Sequence, residues 1–174
     1  MRVAVTGTPG TGKTTATDLV DSSLSLIHLN EVIKEKEFSV DYDDSRDTVV
    51  TDMDAVGDWL TGKDDVIVES HLSHQFDVDK VVVLRCHPET LQSRLTDRGE
   101  STASVEENAE SEALDIILSE AVSRHGEQSV YEIDTTDREP AAIAEDIEAV
   151  VAGEKSPSVG TVSFIDYLAD RTRR

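Results

Sequence analysis

Cys86 is the only cysteine in 174 residues, so neither an intrachain disulfide nor a cysteine-based metal site is available. Aromatic residues are few, with three Phe, three Tyr and one Trp, and any core must be built from Val, Ile, Leu and Ala. No stretch approaches the roughly 18 apolar residues of a membrane-spanning helix. The opening Val3-Ala4-Val5 is far too short for a signal peptide. These absences imply a soluble, cytoplasmic protein with no membrane association. Direct DNA binding is not expected of so acidic a chain.

Positive charge is the scarcest resource of all. Lysine occurs only at positions 13, 34, 36, 63, 80 and 155, and 37 acidic residues face 16 basic ones, for a formal net charge of -21. Three explanations are open: a basic partner, disorder, and a very salty cytoplasm. Disorder would follow from high charge with little to bury, but the apolar residues here fall in well-separated runs. A basic partner would call for a local acidic patch, whereas the acids are spread over the whole chain. At about 1 M salt the screening length is roughly 3 Å and repulsion between surface carboxylates is largely removed. The composition therefore points to a halophilic source.

What is present is an alternation. Arg2 to Thr6, Leu24 to Leu29, Asp65 to Glu69, Lys80 to Arg85 and Ser129 to Ile133 are candidate strands. The third and fourth are nearly all apolar inside, the pattern of strands buried on both faces of a parallel sheet. Between them lie helical patterns: Gly12 to Val20, Asp54 to Leu60, and the pair Leu91 and Leu95. Val105, Ala109, Ala113, Ile116, Ile117 and Ala121 form one stripe at helical spacing, and Ile143, Ile147, Val150 and Val151 another. Strand-helix alternation implies an α/β fold with a mostly parallel sheet. Two polar segments interrupt it, Asn30 to Thr51 and Arg98 to Ser104. The last stretch, from Gly153, is predicted to be a linker followed by a short docking element around Val162-Ser163-Phe164-Ile165. The terminal arginines Arg171, Arg173 and Arg174 are read as a frayed, solvated end rather than an RNA-binding one.

Chemistry enters with Gly7-Thr8-Pro9-Gly10-Thr11-Gly12-Lys13-Thr14-Thr15, which satisfies the pattern Gly, four residues, Gly-Lys-Ser/Thr. It follows a strand and opens a helix, as a phosphate-binding loop must. Glycines let the backbone close around phosphate oxygens, and the loop amides point at the anion. Lys13 supplies a point charge at the β and γ phosphates, and the Thr14 hydroxyl can bind Mg²⁺. Val66-Ile67-Val68-Glu69 is an apolar strand ending in a carboxylate, placed to hold the water shell of Mg²⁺ or to orient an attacking water, with His71 two residues beyond. Arg94 and Arg98 are four apart on one helix face, ahead of Gly99. Arginines there can spread charge on a transferring phosphoryl group. His28, His74, His87 and His125 show no metal-ligand spacing and are assigned no chemistry.

These elements, with Val-Val-Val-Leu-Arg-Cys, Leu-Gln-Ser-Arg-Leu-Thr-Asp-Arg-Gly and Val-Glu-Glu-Asn-Ala-Glu-Ser-Glu in this order, resemble the adenylate kinase isoenzyme 6 family over about residues 1–151. Members of that family are small adenylate kinases with ATPase activity, linked to small ribosomal subunit (16S rRNA) maturation. The resemblance implies a P-loop three-layer sandwich of nucleoside-monophosphate kinase type with a five-stranded parallel sheet. The kinase domain would span 1–152, with a monophosphate-binding part at about 30–51, a lid at about 98–108, and a tail from 153 to 174. It implies ATP and Mg²⁺, with ATP held by Gly10, Gly12, Lys13, Thr14, Thr15 and Arg98, and Arg138 near the adenine. Thr14 and Glu69 would serve the metal. Lys13, Glu69, His71, Arg94 and Arg98 would carry catalysis, with AMP as acceptor and a small-subunit ribosomal protein as partner. Two departures stand out. Glu69 occupies a position where the family has Asp, and no lysine follows Arg98-Gly99 in the lid. The second departure favours an alternative, an assembly factor whose ATP hydrolysis releases a ribosomal-protein partner with little transfer to AMP.

Overall fold

The structure is a computed structural model that describes residues 1–43 and 48–171, with backbone only for 41–43, 48, 49, 170 and 171. Part of the monophosphate-binding segment (44–47) and the terminal Arg173 and Arg174 lie outside the described residues. In chain order the elements are β1 (Arg2–Thr6), α1 (Lys13–Thr17), β2 (Ser25–His28), α2 (Leu29–Glu35), β3 (Ser39–Asp43), β4 (Thr48–Thr51), α3 (Met53–Leu60) and β5 (Val66–Glu69). They continue as β6 (Lys80–Arg85), α4 (Pro88–Asp97), α5 (Thr102–Ala113), α6 (Ile116–His125), β7 (Val130–Asp134), α7 (Pro140–Ala152) and α8 (Ile165–Arg171).

Five strands form one sheet in the order β2-β5-β1-β6-β7, and every neighbouring pair is parallel. Alternation along β1 explains the layers. Val3 and Val5 face one side with Val82, Leu84 and Ile133, under Ala16 of α1 and Ile143, Ile147 and Val150 of α7. Ala4 faces the other side with Val81, Val83 and Val130, under Leu118 and Ala121 of α6. Burial of both faces by helices is what selects the parallel, doubly apolar strands. A third cluster packs Leu29, Val56 and Leu60 against Val66 and Val68, and a fourth joins Cys86, Leu91, Leu95 and Val105 where α4 meets α5. Because β1 is central, the loop that follows it lies between the carboxyl ends of β5 and β6, the usual ligand crevice of such sheets.

Several elements differ from expectation. The stripe from Val105 to Ala121 is not one helix. It breaks at Asp115, which takes a left-handed conformation (φ 54) while its carboxylate pairs with the buried Arg85 guanidinium. The ion pair offsets a backbone conformation that costs a non-glycine residue about 1 kcal/mol or more. The first helix stops at Thr17 rather than Val20, and Leu19 and Val20 bond back only three residues, to Ala16 and Thr17. The polar stretch 30–51 holds a helix and an antiparallel β3–β4 hairpin. Within the polar loop after Arg98, Ser101 caps α5 by accepting from the Ser104 amide.

The tail docks as anticipated, and more extensively. Ser158 pairs with the free edge of β7, donating to the Val130 carbonyl and accepting from the Glu132 amide. Phe164 buries its ring edge-on to His87, at 5.4 Å, and under the Arg85 guanidinium, also at 5.4 Å. Ile165 instead faces solvent and is 55% exposed.

Candidate active site

The loop after β1 is shaped by where it must pass. A Cβ on Gly7 would lie 2.4 Å from the Leu84 carbonyl oxygen, so only glycine lets the chain leave β1 beside β6. Gly12 has φ +91, which reverses the chain into α1. Thr11 closes the loop from inside, its amide and hydroxyl both donating to the Thr8 carbonyl. Lys13 folds back over the loop and is 8% exposed. Its Nζ donates to the carbonyls of Gly7 at 2.8 Å and Thr8 at 3.1 Å. Burial lowers its pKa from 10.5 to about 8, against the opposing pull of Glu69 and Glu112. An ammonium held this way is short of counter-charge, and a phosphate would supply it.

A cavity of about 140 Å³ opens over this loop. It is lined by Pro9, Gly10, Gly12, Lys13, Thr14, Thr15, Asn30, Glu69, His71 and Arg98. Eight of the ten residues expected to build the site thus share one cavity, apart from Arg94 and Arg138. Arg94 lies behind it, its Nη1 donating to the Gly10 carbonyl at 3.2 Å, so it braces the loop from the α4 side. Arg138 lies away from the cavity, bonding the Asp134 and Ala142 carbonyls and pairing with Asp146 at 2.9 Å.

Glu69 is held, not free. Register places His28 of β2 directly beside it, and His28 Nδ1 meets Glu69 Oε2 at 3.0 Å while Nε2 meets Asp18 Oδ1 at 3.0 Å. Burial works against charge on this imidazole, but the bond to Glu69 and the nearby Asp18 outweigh it and raise its pKa. Glu69 thus lines the cavity with one carboxylate oxygen already engaged by His28. His71 behaves oppositely. Burial, with Lys13 nearby, pushes its pKa down to about 4, so it is a neutral imidazole at ordinary pH. Thr14, which is exposed, and Glu69, the two residues expected to serve Mg²⁺, both line the cavity. Among the described residues no group of three or more His, Cys, Asp or Glu is arranged to hold a metal. A donor set of one hydroxyl and one carboxylate suits an ion that keeps most of its coordination in water and phosphate.

A second cavity of about 670 Å³ adjoins the first through Asn30 and His71. It is completed by Ile33, Lys34, Glu37, Ser39, Thr51 and Leu72, all from the polar segment or the β5 end.

A family model described as an AAA domain matches residues 3–115. A protein of Natronomonas pharaonis named "Putative adenylate kinase" is 60% identical over 168 residues, covering 97% of this chain and all of that one. A Halobacterium salinarum protein of the same name is 56% identical with the same coverage. One from Methanosarcina acetivorans is 41% identical over 87% of this chain and 86% of its own. The chain belongs to this adenylate kinase family. Solved structures share its fold. A shikimate kinase from Acinetobacter baumannii superposes with TM-score 0.60 at 14% identity, covering 88% of this chain and 94% of that one. A deoxyadenosine kinase from M. mycoides superposes at 0.51 and 13%, covering 87% and 100%. The fold is thus the P-loop nucleotide-kinase sandwich, and the two haloarchaeal relatives fit the acidic composition.

Two parts of the site were not foreseen. His28 had no sequence signal, because its role depends on β2 pairing with β5, and pairing is not written along a single strand. Asn30, whose side-chain oxygen accepts from the Ser70 hydroxyl at 2.8 Å, stands at the junction of both cavities. Its only cue was its place just after β2.

Proposed function

We propose that this protein transfers the γ-phosphoryl group of MgATP to AMP. The observation that carries this reading is the pair of adjoining cavities, one over the phosphate loop and one walled by the monophosphate segment, meeting at Asn30 and His71. In this reading Gly10, Gly12, Lys13, Thr14 and Thr15 bind the ATP phosphates, and Arg98 reaches them from the lid at 98–108. Lys13 already sits beside the loop carbonyls and exchanges part of that pairing for phosphate oxygens as charge builds on them. Arg94 holds the Gly10 carbonyl and keeps the loop in register with α4. Thr14 and, through the ion's water shell, Glu69 would hold Mg²⁺, which would supply charge to neutralise the phosphates. His28 fixes the Glu69 carboxylate for that task, offsetting the freedom of its extra methylene. The neutral His71 can accept or donate one hydrogen bond without adding charge where donor and acceptor meet. AMP would lie in the larger cavity, with Lys34 on its wall. Arg138, engaged with Asp146, would reach adenine only by leaving that pair.

Water is the competing acceptor, and the sparse charge of the lid favours some ATP hydrolysis in the absence of AMP. The link to small ribosomal subunit maturation, with a ribosomal-protein partner, rests on the family resemblance alone. The deciding measurement is turnover in molar KCl with ATP alone, with ATP plus AMP, and with ATP plus other acceptors. Strong stimulation by AMP with two ADP formed per event supports transfer. Turnover indifferent to AMP rejects it and leaves an ATPase. Glu69→Gln and His71→Ala separate the two roles, because both impair hydrolysis more than transfer if they position water.

A further inference from the structure

Beside the phosphate cavity the protein buries a charged cluster that the proposed chemistry does not use. Arg85, at the end of β6, is 1% exposed. Its guanidinium donates to Glu112 at 2.8 Å, to Glu132 at 2.6 Å and to Asp115. Such a cluster is a poor way to gain stability, since apolar side chains of similar volume often serve as well or better. Something other than packing is expected to account for it.

Glu112 shows what. One of its oxygens accepts from Arg85 and from the Cys86 amide, at 3.0 Å. The other accepts the Thr8 hydroxyl at 2.5 Å. Thr8 is a phosphate-loop residue, 1% exposed, and its carbonyl is one of the two that seat Lys13. An unbroken path therefore runs from the Glu112 carboxylate through the Thr8 hydroxyl and carbonyl to the Lys13 ammonium. The loop around it turns through glycines at φ +143, +92 and +91, and Glu112 gives it a fixed point outside the loop, as Arg94 does at the Gly10 carbonyl. Glu112 sits on α5, whose opposite end begins just past Arg98 and Gly99, so the anchor of the loop and the root of the lid segment share one helix. Glu112 also ends the run Val-Glu-Glu-Asn-Ala-Glu-Ser-Glu, for which the catalytic reading has no use.

We propose that Glu112 is a positioning residue for the phosphate loop: held by Arg85, it fixes Thr8 and through it the seat of Lys13. It does not touch the nucleotide. This rests on the reading of the loop as an ATP phosphate cradle.

Thr8→Val keeps the shape of residue 8 and the Arg85–Glu112 pair but removes the hydroxyl, and Thr8→Ser restores it. Nucleotide affinities are measured by calorimetry in molar KCl on variants whose melting confirms folding. Thr8→Val should weaken ATP binding about tenfold, the scale of one charge-assisted hydrogen bond. AMP affinity should stay within about twofold, and Thr8→Ser should stay within about twofold of the wild type for both. Thr8→Val combined with Glu112→Gln should bind ATP no more weakly than Glu112→Gln alone, since both act through one bond. Wild-type ATP affinity in Thr8→Val, or effects of the two substitutions that multiply, would overturn the proposal. If Glu112→Gln does not fold, the Val and Ser variants decide it. Lys13→Ala separates the two layers. Retained ATP binding there means the cradle reading itself is wrong, whereas loss there beside an unaffected Thr8→Val removes only the role of Glu112.

Discussion

Lys13 should destabilise the protein when no nucleotide is bound, and the size of the effect follows from its surroundings. Burial lowers its pKa from 10.5 to about 8. That gap corresponds to about 3 kcal/mol at roughly 1.4 kcal/mol per pH unit. At neutral pH the lysine is charged in both folded and unfolded chains, so the whole penalty falls on the folded state. Between pH 8 and 10.5 the unfolded chain still holds the proton while the folded one has released it. More protons on the unfolded state means that folding stability attributable to Lys13 rises with pH across that window. Lys13→Met keeps most of the stem and removes the charge, but leaves the Gly7 carbonyl without its partner, which costs about 1–2 kcal/mol. The balance at pH 7 is a gain of about 1–2 kcal/mol, or a melting temperature higher by about 2–8 °C for a chain of this size. The assay is urea unfolding in molar KCl, followed by Trp59 fluorescence, for wild type and Lys13→Met without nucleotide. The variant should be the more stable at pH 7, and the wild type should gain on it by about 3 kcal/mol by pH 10.5. Comparing the two cancels every other alkaline titration. Adding ATP should reverse the order at pH 7, because only the wild type gains ligand stabilisation. Stability curves that run parallel from pH 7 to 11 would show that Lys13 is not strained by burial.

Two other outcomes follow from surface and tail. Dilution from molar KCl to about 0.05 M lengthens the screening distance beyond roughly 10 Å and restores repulsion within a chain of net charge -21. Far-UV circular dichroism should show loss of structure, and a full native spectrum in dilute buffer at neutral pH would reject the halophilic reading. Phe164→Ala removes the ring that lies against His87 and Arg85 and should cost about 3 kcal/mol in urea unfolding. Ile165→Ala, at a side chain 55% exposed, should change stability by less than about 0.5 kcal/mol. Equal effects at the two positions would mean the tail does not dock through Phe164.

How much of this was legible in the sequence depended on whether a feature is local. The phosphate loop is, because its glycines, Lys13 and Thr14 lie within nine residues and between a strand and a helix, and the five strands announce themselves as apolar runs. The features that were missed depend on strands meeting. His28 reads as an ordinary histidine at a strand end until β2 pairs with β5 and sets it beside Glu69. The helical stripe from Val105 to Ala121 keeps its period across a break that only the ion pair of Asp115 with Arg85 explains. Arg85 itself ends an apolar strand and carries no sign that α5, the start of α6, β7 and the tail converge on it. Glu132 makes that convergence physical. One of its oxygens takes Arg85, and the other accepts the amides of Thr161 and Val162 and the Thr161 hydroxyl. The tail, expected to be a linker with a short docking element, is therefore tied through Glu132 to the same Arg85 whose partner Glu112 holds Thr8. A residue pattern can reveal a phosphate-binding loop, but part of what keeps that loop in shape, Arg94 on Gly10, Glu112 on Thr8 and Thr135 on Thr11, comes from residues 84, 104 and 124 positions away.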